Sequence, residues 1–274
     1  MYQKKFEELE LRDDFIFGKV MRNKAICKKT LEILLGIQIE DIEYPETQKA
    51  INITYQGKSV RLDVYVEDDK SSIYNAEMQQ KGDEENIRQL PKRSRYYQGM
   101  IDLNLIEKGL PYTALNTSYV IFICTFDPFG KGNYQYTFRT LCQEDTAFAL
   151  EDGTMRIFFN TKGNLDEAPK ELRELLQYIE TNQPKGTFTE QLDHEVKRAK
   201  QNEKWRREYM KELPHDFDMK EEGRREGKEE GREEGKQEVN LLNQLLAEQN
   251  RMEDIIRSAQ DAKYQKKLFE EFQI

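Results

Sequence analysis

Histidine, cysteine, tryptophan, basic excess and long apolar runs are what this chain has little of. Its 274 residues include two histidines, His194 and His215, three cysteines and one tryptophan. So few imidazoles give poor support to a histidine-rich zinc site or a Ser-His-Asp triad. If the chain is an enzyme, carboxylates must do most of the work. Cys27, Cys124 and Cys142 lie far apart with no C-x-x-C spacing, which points away from a zinc ribbon or a disulfide framework. They read as buried thiols in a reducing compartment. No apolar run approaches the ~18 residues of a membrane span. The first residues, Met1 to Glu8, lack an apolar stretch for export, so the expectation is a cytoplasmic protein with no membrane partner. Lys and Arg total 43 against 52 Asp and Glu, a net charge of -9. Phosphate binding favours a basic face, but a local basic stripe can bind a backbone while acids elsewhere set the total.

What is present divides the chain unevenly. Hydrophobic residues make up 37%, low for a fully globular chain, and charged residues 35%, so part of the chain is expected outside a core. The spacing of Phe15, Val20, Ile26, Leu31, Leu34 and Leu35 predicts one helix over about 11–35, stopped at Gly36. Strand-like runs follow at about 50–55, 59–67 and 72–80. The segment 84–107 reads as a polar helix interrupted by Pro91. Tyr119 to Thr125 is apolar on both parities, as a central buried strand would be. Further strands are expected at 134–141 and 155–159, a helix near 169–180, and helical segments up to about Met210. From Lys220 glycines recur every fourth residue, at Gly223, Gly227, Gly231 and Gly235. An amphipathic stretch through Leu242, Leu246, Ile255 and Leu268 closes the chain. Composition places the boundary near Leu213-Pro214, giving a main domain 1–212 and a Gly/Glu-repeat linker with a helical tail, 213–274.

The informative region is Val60 to Gln80. Period-2 alternation puts Val60, Leu62, Val64 and Val66 on one face, and Arg61, Asp63, Tyr65 and Glu67 on the other. In the next run Tyr74, Ala76, Met78 and Gln80 alternate with Ile73, Asn75, Glu77 and Gln79. Folded as a hairpin about Asp69-Lys70-Ser71, opposed residue numbers sum to 140. Val66 then meets Tyr74, Val64 meets Ala76 and Leu62 meets Met78, while Asp63 meets Glu77 and Arg61 meets Gln79. A one-residue slip would pair apolar with polar faces. Opposed Cβ atoms lie ~4.5–5.5 Å apart, so the two carboxylates repel unless a cation sits between them. A hard divalent ion such as Mg²⁺ suits oxygen ligands, with Gln79 alongside to orient water. The bland alternative is an ordinary acidic face turned to solvent.

Several motifs carry a family resemblance. Arg61-Leu62-Asp63-Val64 followed by Asn75-Ala76-Glu77-Met78-Gln79 resembles the active-site hairpin of PD-(D/E)XK nucleases. Within that superfamily the chain looks like the recombination-promoting nuclease/putative transposase family. Asp13 to Phe17, Arg93-Ser94-Arg95-Tyr96-Tyr97, Gly109 to Tyr112, Phe126 to Gly130, Met155 to Asn160 and the Gly/Glu tail agree with it in order. The resemblance implies an α/β fold with a restriction-endonuclease-like core: a mixed β-sheet flanked by helices, plus a C-terminal helical tail. It also implies Mg²⁺-dependent hydrolysis of DNA phosphodiesters, with Mn²⁺ as an alternative ion. Asp63, Glu77 and the backbone carbonyl of Met78 would ligate the metal, and Asp14 would be an accessory acid. The superfamily's usual lysine is here Gln79, and Leu62 stands where proline is usual. Gln79 carries no charge and becomes a water-orienting residue. Gly18 takes a place where the family often has a basic residue.

Arg88, Lys92 and Arg95 fall at i, i+4 and i+7 and share one helix face. They could position a phosphate backbone, with Lys81, Arg93, Tyr96 and Tyr97 as further DNA-binding candidates. A solvated charged helix is the alternative. No base-reading motif is present, so little sequence specificity is expected. Each tail glycine costs ~1 kcal/mol relative to alanine in a helix. The tail is therefore either a solvated linker or a bare helical face that packs on a second copy, giving a homodimer. The leading expectation is a weakly specific DNA endonuclease that promotes recombination. The runner-up is a catalytically silent DNA-binding or interaction protein with the same fold.

Overall fold

The computed structural model of the chain describes residues 4–44, 63–80, 82–105, 111–211, 236 and 239–272. The chain forms two compact units, Met1–Arg207 and Glu208–Ile274. The first contains a six-stranded mixed sheet and its helices. The strands are β1 (Ile42–Glu43), β2 (Val64–Asp68), β3 (Ile73–Gln79), β4 (Ser118–Cys124), β5 (Gln135–Phe138) and β6 (Thr154–Asn160), in the order β1-β2-β3-β4-β6-β5. β1, β2 and β3 pair antiparallel, β3 pairs parallel with β4 and β4 with β6, and β5 closes the far edge antiparallel to β6. The strand run expected at 50–55 lies outside the described residues.

Parity determines which side chains meet which layer. β3 is buried on both faces, and so is β4 along most of its length. The acidic-solvent-face alternative for β3 therefore fails, because Glu77 lies under a helix. That helix, α3 (Glu84–Leu105), lays Leu90, Tyr97, Met100 and Ile101 on Ile73, Val120, Phe122 and Phe158. Tyr97 stacks on Phe122 at 5.8 Å and Phe122 on Phe158 at 5.3 Å between ring centroids. Full burial contributes about 1.5–3 kcal/mol for each Ile, Val or Phe side chain. Pro91 does not interrupt α3, contrary to the sequence expectation. It removes one backbone donor, and packing on the sheet holds the helix on either side.

The other face of the sheet is covered by α1 (Asp14–Val20) on β3 and α2 (Lys24–Leu35) on β1, with α4 (Lys170–Thr181) and α5 (Thr187–Lys200) packed on them. The single helix expected over 11–35 is two. Asn23 caps the second, its side chain accepting from Ile26 N, and Gly36 ends it at φ 65°. The cap side chain competes with helix continuation and restarts the chain in a new direction. Cys27 and Cys124 are buried thiols as expected, both pushed up to about 12 by burial, whereas Cys142 is only half-buried.

The second unit packs Leu242, Leu246 and Leu268 together, with Ile255, Tyr264, Phe269 and Phe272 against them. It contains helical residues 239–248 and the helices Met252–Gln260 and Ala262–Phe272. The glycine repeat lies outside the described residues. No helix among the described residues is long and apolar enough to cross a membrane.

Candidate active site on the β2–β3 hairpin

The hairpin takes the register that its alternation predicts: Val64 pairs with Ala76 and Val66 with Tyr74. Arg61 and Leu62, and with them the pairings to Gln79 and Met78, lie outside the described residues. Asp63, at the mouth of β2, and Glu77, on β3, are side by side. The Asp63 N–H donates to Glu77 Oε1 at 3.1 Å, and the Met78 N–H donates to Asp63 Oδ2 at 3.0 Å. Each carboxylate is thus steadied by a main-chain amide of the opposite segment.

Glu77 is 3% exposed. Burial, then the charge of Asp63, pushes its carboxyl well above the usual carboxylate range. The Asp63 N–H, the Arg93 charge and the Asn75 amide pull the other way and do not prevail. Asn75 is fully buried, and in the orientation its neighbours require its amide nitrogen donates to Glu77 Oε1 at 3.1 Å and to the Val64 carbonyl at 3.0 Å. Two acids in a poorly hydrated place can share a proton or a cation. Both donate oxygen, as a hard divalent ion requires. The Gln79 carbonyl accepts from Thr125 N at 2.9 Å, toward β4. Strand alternation therefore turns the Met78 N–H and C=O toward β2, the side of Asp63. The donor set is of the oxygen type that a hard divalent ion takes.

Gln79 is half-buried. Its Oε1 accepts from Arg93 Nη1 at 2.8 Å, while Arg93 Nη2 donates to Tyr97 Oη at 3.0 Å. The guanidinium lies over the rings of Tyr97 and Phe122, 5.6 and 5.7 Å from their centroids. Arg93 and Tyr97, read from the sequence as DNA contacts, are thus turned inward to the hairpin. Arg88, Lys92 and Arg95 are exposed on the opposite side of α3 and share the face their spacing predicts. Lys81 lies outside the described residues.

Asp14 is exposed, and its Oδ1 accepts from Phe15 N at 2.7 Å. Among the described residues no three His, Cys, Asp or Glu side chains gather into a cluster that could hold a metal ion, so Asp14 does not join Asp63 and Glu77 as a third acid. One turn along α1, a Cβ on Gly18 would stand 3.3 Å from the Asp63 carbonyl oxygen. A bare glycine lets α1 approach the mouth of β2, which accounts for its place there. The buried neighbour Asp13 is structural. It accepts from Lys4 Nζ at 2.9 Å and from Gln80 Nε2 at 3.0 Å, tying the start of α1 to the end of β3.

Sequence reasoning left Asn75 undecided and did not pair Arg93 with Gln79. For Asn75, its place two residues before Glu77 on the same strand face was a usable signal. A helix-to-strand contact across 14 residues had no signal in the spacing.

A mixed sheet flanked by helices, with two apposed acids at the end of its central hairpin, is a nuclease-like arrangement of the α/β class. The chain belongs to the PD-(D/E)XK nuclease family transposases, whose family profile matches residues 14–226. No curated protein and no solved structure matches it.

Proposed function

We propose that the protein is a divalent-metal-dependent DNA endonuclease with little sequence specificity that promotes recombination. The apposition of Asp63 and Glu77, two oxygen-donating acids side by side in the hairpin, carries this reading. The two carboxylates and the Met78 carbonyl would hold Mg²⁺, or Mn²⁺ in its place. Such an ion neutralises charge on a phosphodiester and lowers the pKa of water, several kcal/mol of assistance to hydrolysis. Gln79 offers amide N–H groups that orient the attacking oxygen. The exposed Arg88, Lys92 and Arg95 take backbone phosphates, which positions DNA without reading bases. The family's transposase designation supports DNA as substrate and a role in recombination.

Supercoiled plasmid incubated with Mg²⁺, Mn²⁺ or EDTA tests the proposal. The expected result is metal-dependent nicking that Asp63→Ala and Glu77→Ala each abolish. DNA binding without nicking in either metal would replace it with a catalytically silent DNA-binding protein.

A further inference from the structure

We propose that Arg93 is a positioning residue that delivers, from α3, the positive charge the hairpin lacks at Gln79, and that it sets the direction of the Gln79 amide. This rests on the nuclease reading above. Hydrolysis of a phosphodiester gathers negative charge beside two acids, and a neutral glutamine does nothing to offset it. The nearby guanidinium does, and its position is strongly defined. Arg93 Nη1 donates to Gln79 Oε1 at 2.8 Å, Nη2 donates to Tyr97 Oη at 3.0 Å, and the plane sits over the Tyr97 and Phe122 rings. Planarity and fixed donor geometry make arginine suited to such a four-way hold, and lysine is not equivalent.

The bond also determines what Gln79 can do. Reversing the amide would set Nε2 against the guanidinium N–H groups, donor against donor. The oxygen therefore stays on Arg93, and Nε2, which has no protein partner among the described residues, is left to donate to a reacting oxygen. Gln79 so held is a hydrogen-bond donor and not a metal ligand. The inward turn of Arg93 also separates it from Arg88, Lys92 and Arg95, which are exposed to solvent.

The test moves the charge back to the strand. Arg93→Met is expected to lower kcat for nicking by ~10–100-fold, the usual cost of losing a supporting partner at such a site, with KM for DNA unchanged. Gln79→Lys alone is expected to fall as well, because its ammonium lands beside a guanidinium. Combined, Arg93→Met with Gln79→Lys should recover to within several-fold of wild type, a reversal of sign that only coupled residues produce. A double variant no better than either single variant overturns the proposal. Fluorescence anisotropy of labelled duplex in EDTA supplies a second arm. Unchanged affinity in Arg93→Met is expected; loss of about one unit of salt slope would make Arg93 a phosphate contact instead. Third, the Gln79 side-chain amide resonances of the metal-free protein should shift in Arg93→Met, and unmoved resonances overturn the coupling. If wild type nicks nothing while those resonances do move, the nuclease reading falls and the Arg93–Gln79 coupling stands.

Discussion

Two acids, one in the sheet and one in a loop beside it, make an instructive pair. Glu77 sits inside the hairpin against Asp63. Asp127 sits in the loop after β4, surrounded by donors: Phe129 N at 3.1 Å, Gly130 N at 3.0 Å, Gly132 N at 2.7 Å and Tyr136 Oη at 2.8 Å. Burial pushes both carboxyls up. At Asp127 the N–H groups of Gly132 and Phe129 and the Tyr136 hydroxyl outweigh it, and the group is held below its ordinary range. At Glu77 the neighbouring acid adds to burial and the group is held above it. An acid ringed by donors organises its loop. An acid facing another acid costs stability, and such perturbed pairs concentrate at functional sites.

The sharpest way to break the comparison is by activity. Asp63→Asn or Glu77→Gln is expected to reduce nicking at least ~100-fold, the scale of a metal ion's charge stabilisation, whereas Asp127→Asn should leave turnover of the folded protein within a few-fold. Plasmid nicking at saturating Mg²⁺ measures both; equal losses would erase the distinction. Stability should respond the other way. Asp127→Ala strands several loop donors and is expected to cost about 1–3 kcal/mol in urea unfolding.

The pH dependences should have opposite signs. Glu77 has a folded pKa raised above the unfolded value of about 4.3, so its cost is absent below that value and grows as pH rises through the folded one. In EDTA, Glu77→Gln should therefore stabilise the protein at pH 8, by up to ~2 kcal/mol, the size of a buried polar penalty, and change little at pH 4. Asp127, depressed when folded, contributes stability that is present above its unfolded pKa and lost as pH falls through the folded one. Thermal melts of both variants from pH 3 to 9 check the two signs; parallel curves would refute them. The smallest effect concerns the tail. A chain of residues 1–212 is expected to nick within a few-fold of the full chain. Sedimentation of both forms decides tail-driven pairing: a full-length mass twice the monomer's supports the homodimer, and equal monomeric masses remove it.

Much of this site was legible in the residue pattern. Alternation over Val64–Val66 and Tyr74–Met78 gave the register, and the register gave Asp63 beside Glu77. The run at β4, apolar on both parities, announced a central strand. Local chemistry misled where packing overrode it. Pro91 should have interrupted a helix, but its flanking residues are held on the sheet. Asn23 restarted a helix that apolar spacing had joined. The tie of Asp13 to the end of β3 through Gln80 joins residues 67 apart in the chain and had no signal in the spacing.

By itself the amino-acid order determined the strands β2 to β6 (not the two-residue β1), the hairpin pairing and the apposed acids, because period-2 patterning and register are short-range properties. The tertiary fold alone decided that β6 lies between β4 and β5, that α3 covers the acids, and that Arg93 reaches Gln79. Those choices depend on which distant surfaces bury one another, and no local spacing encodes that.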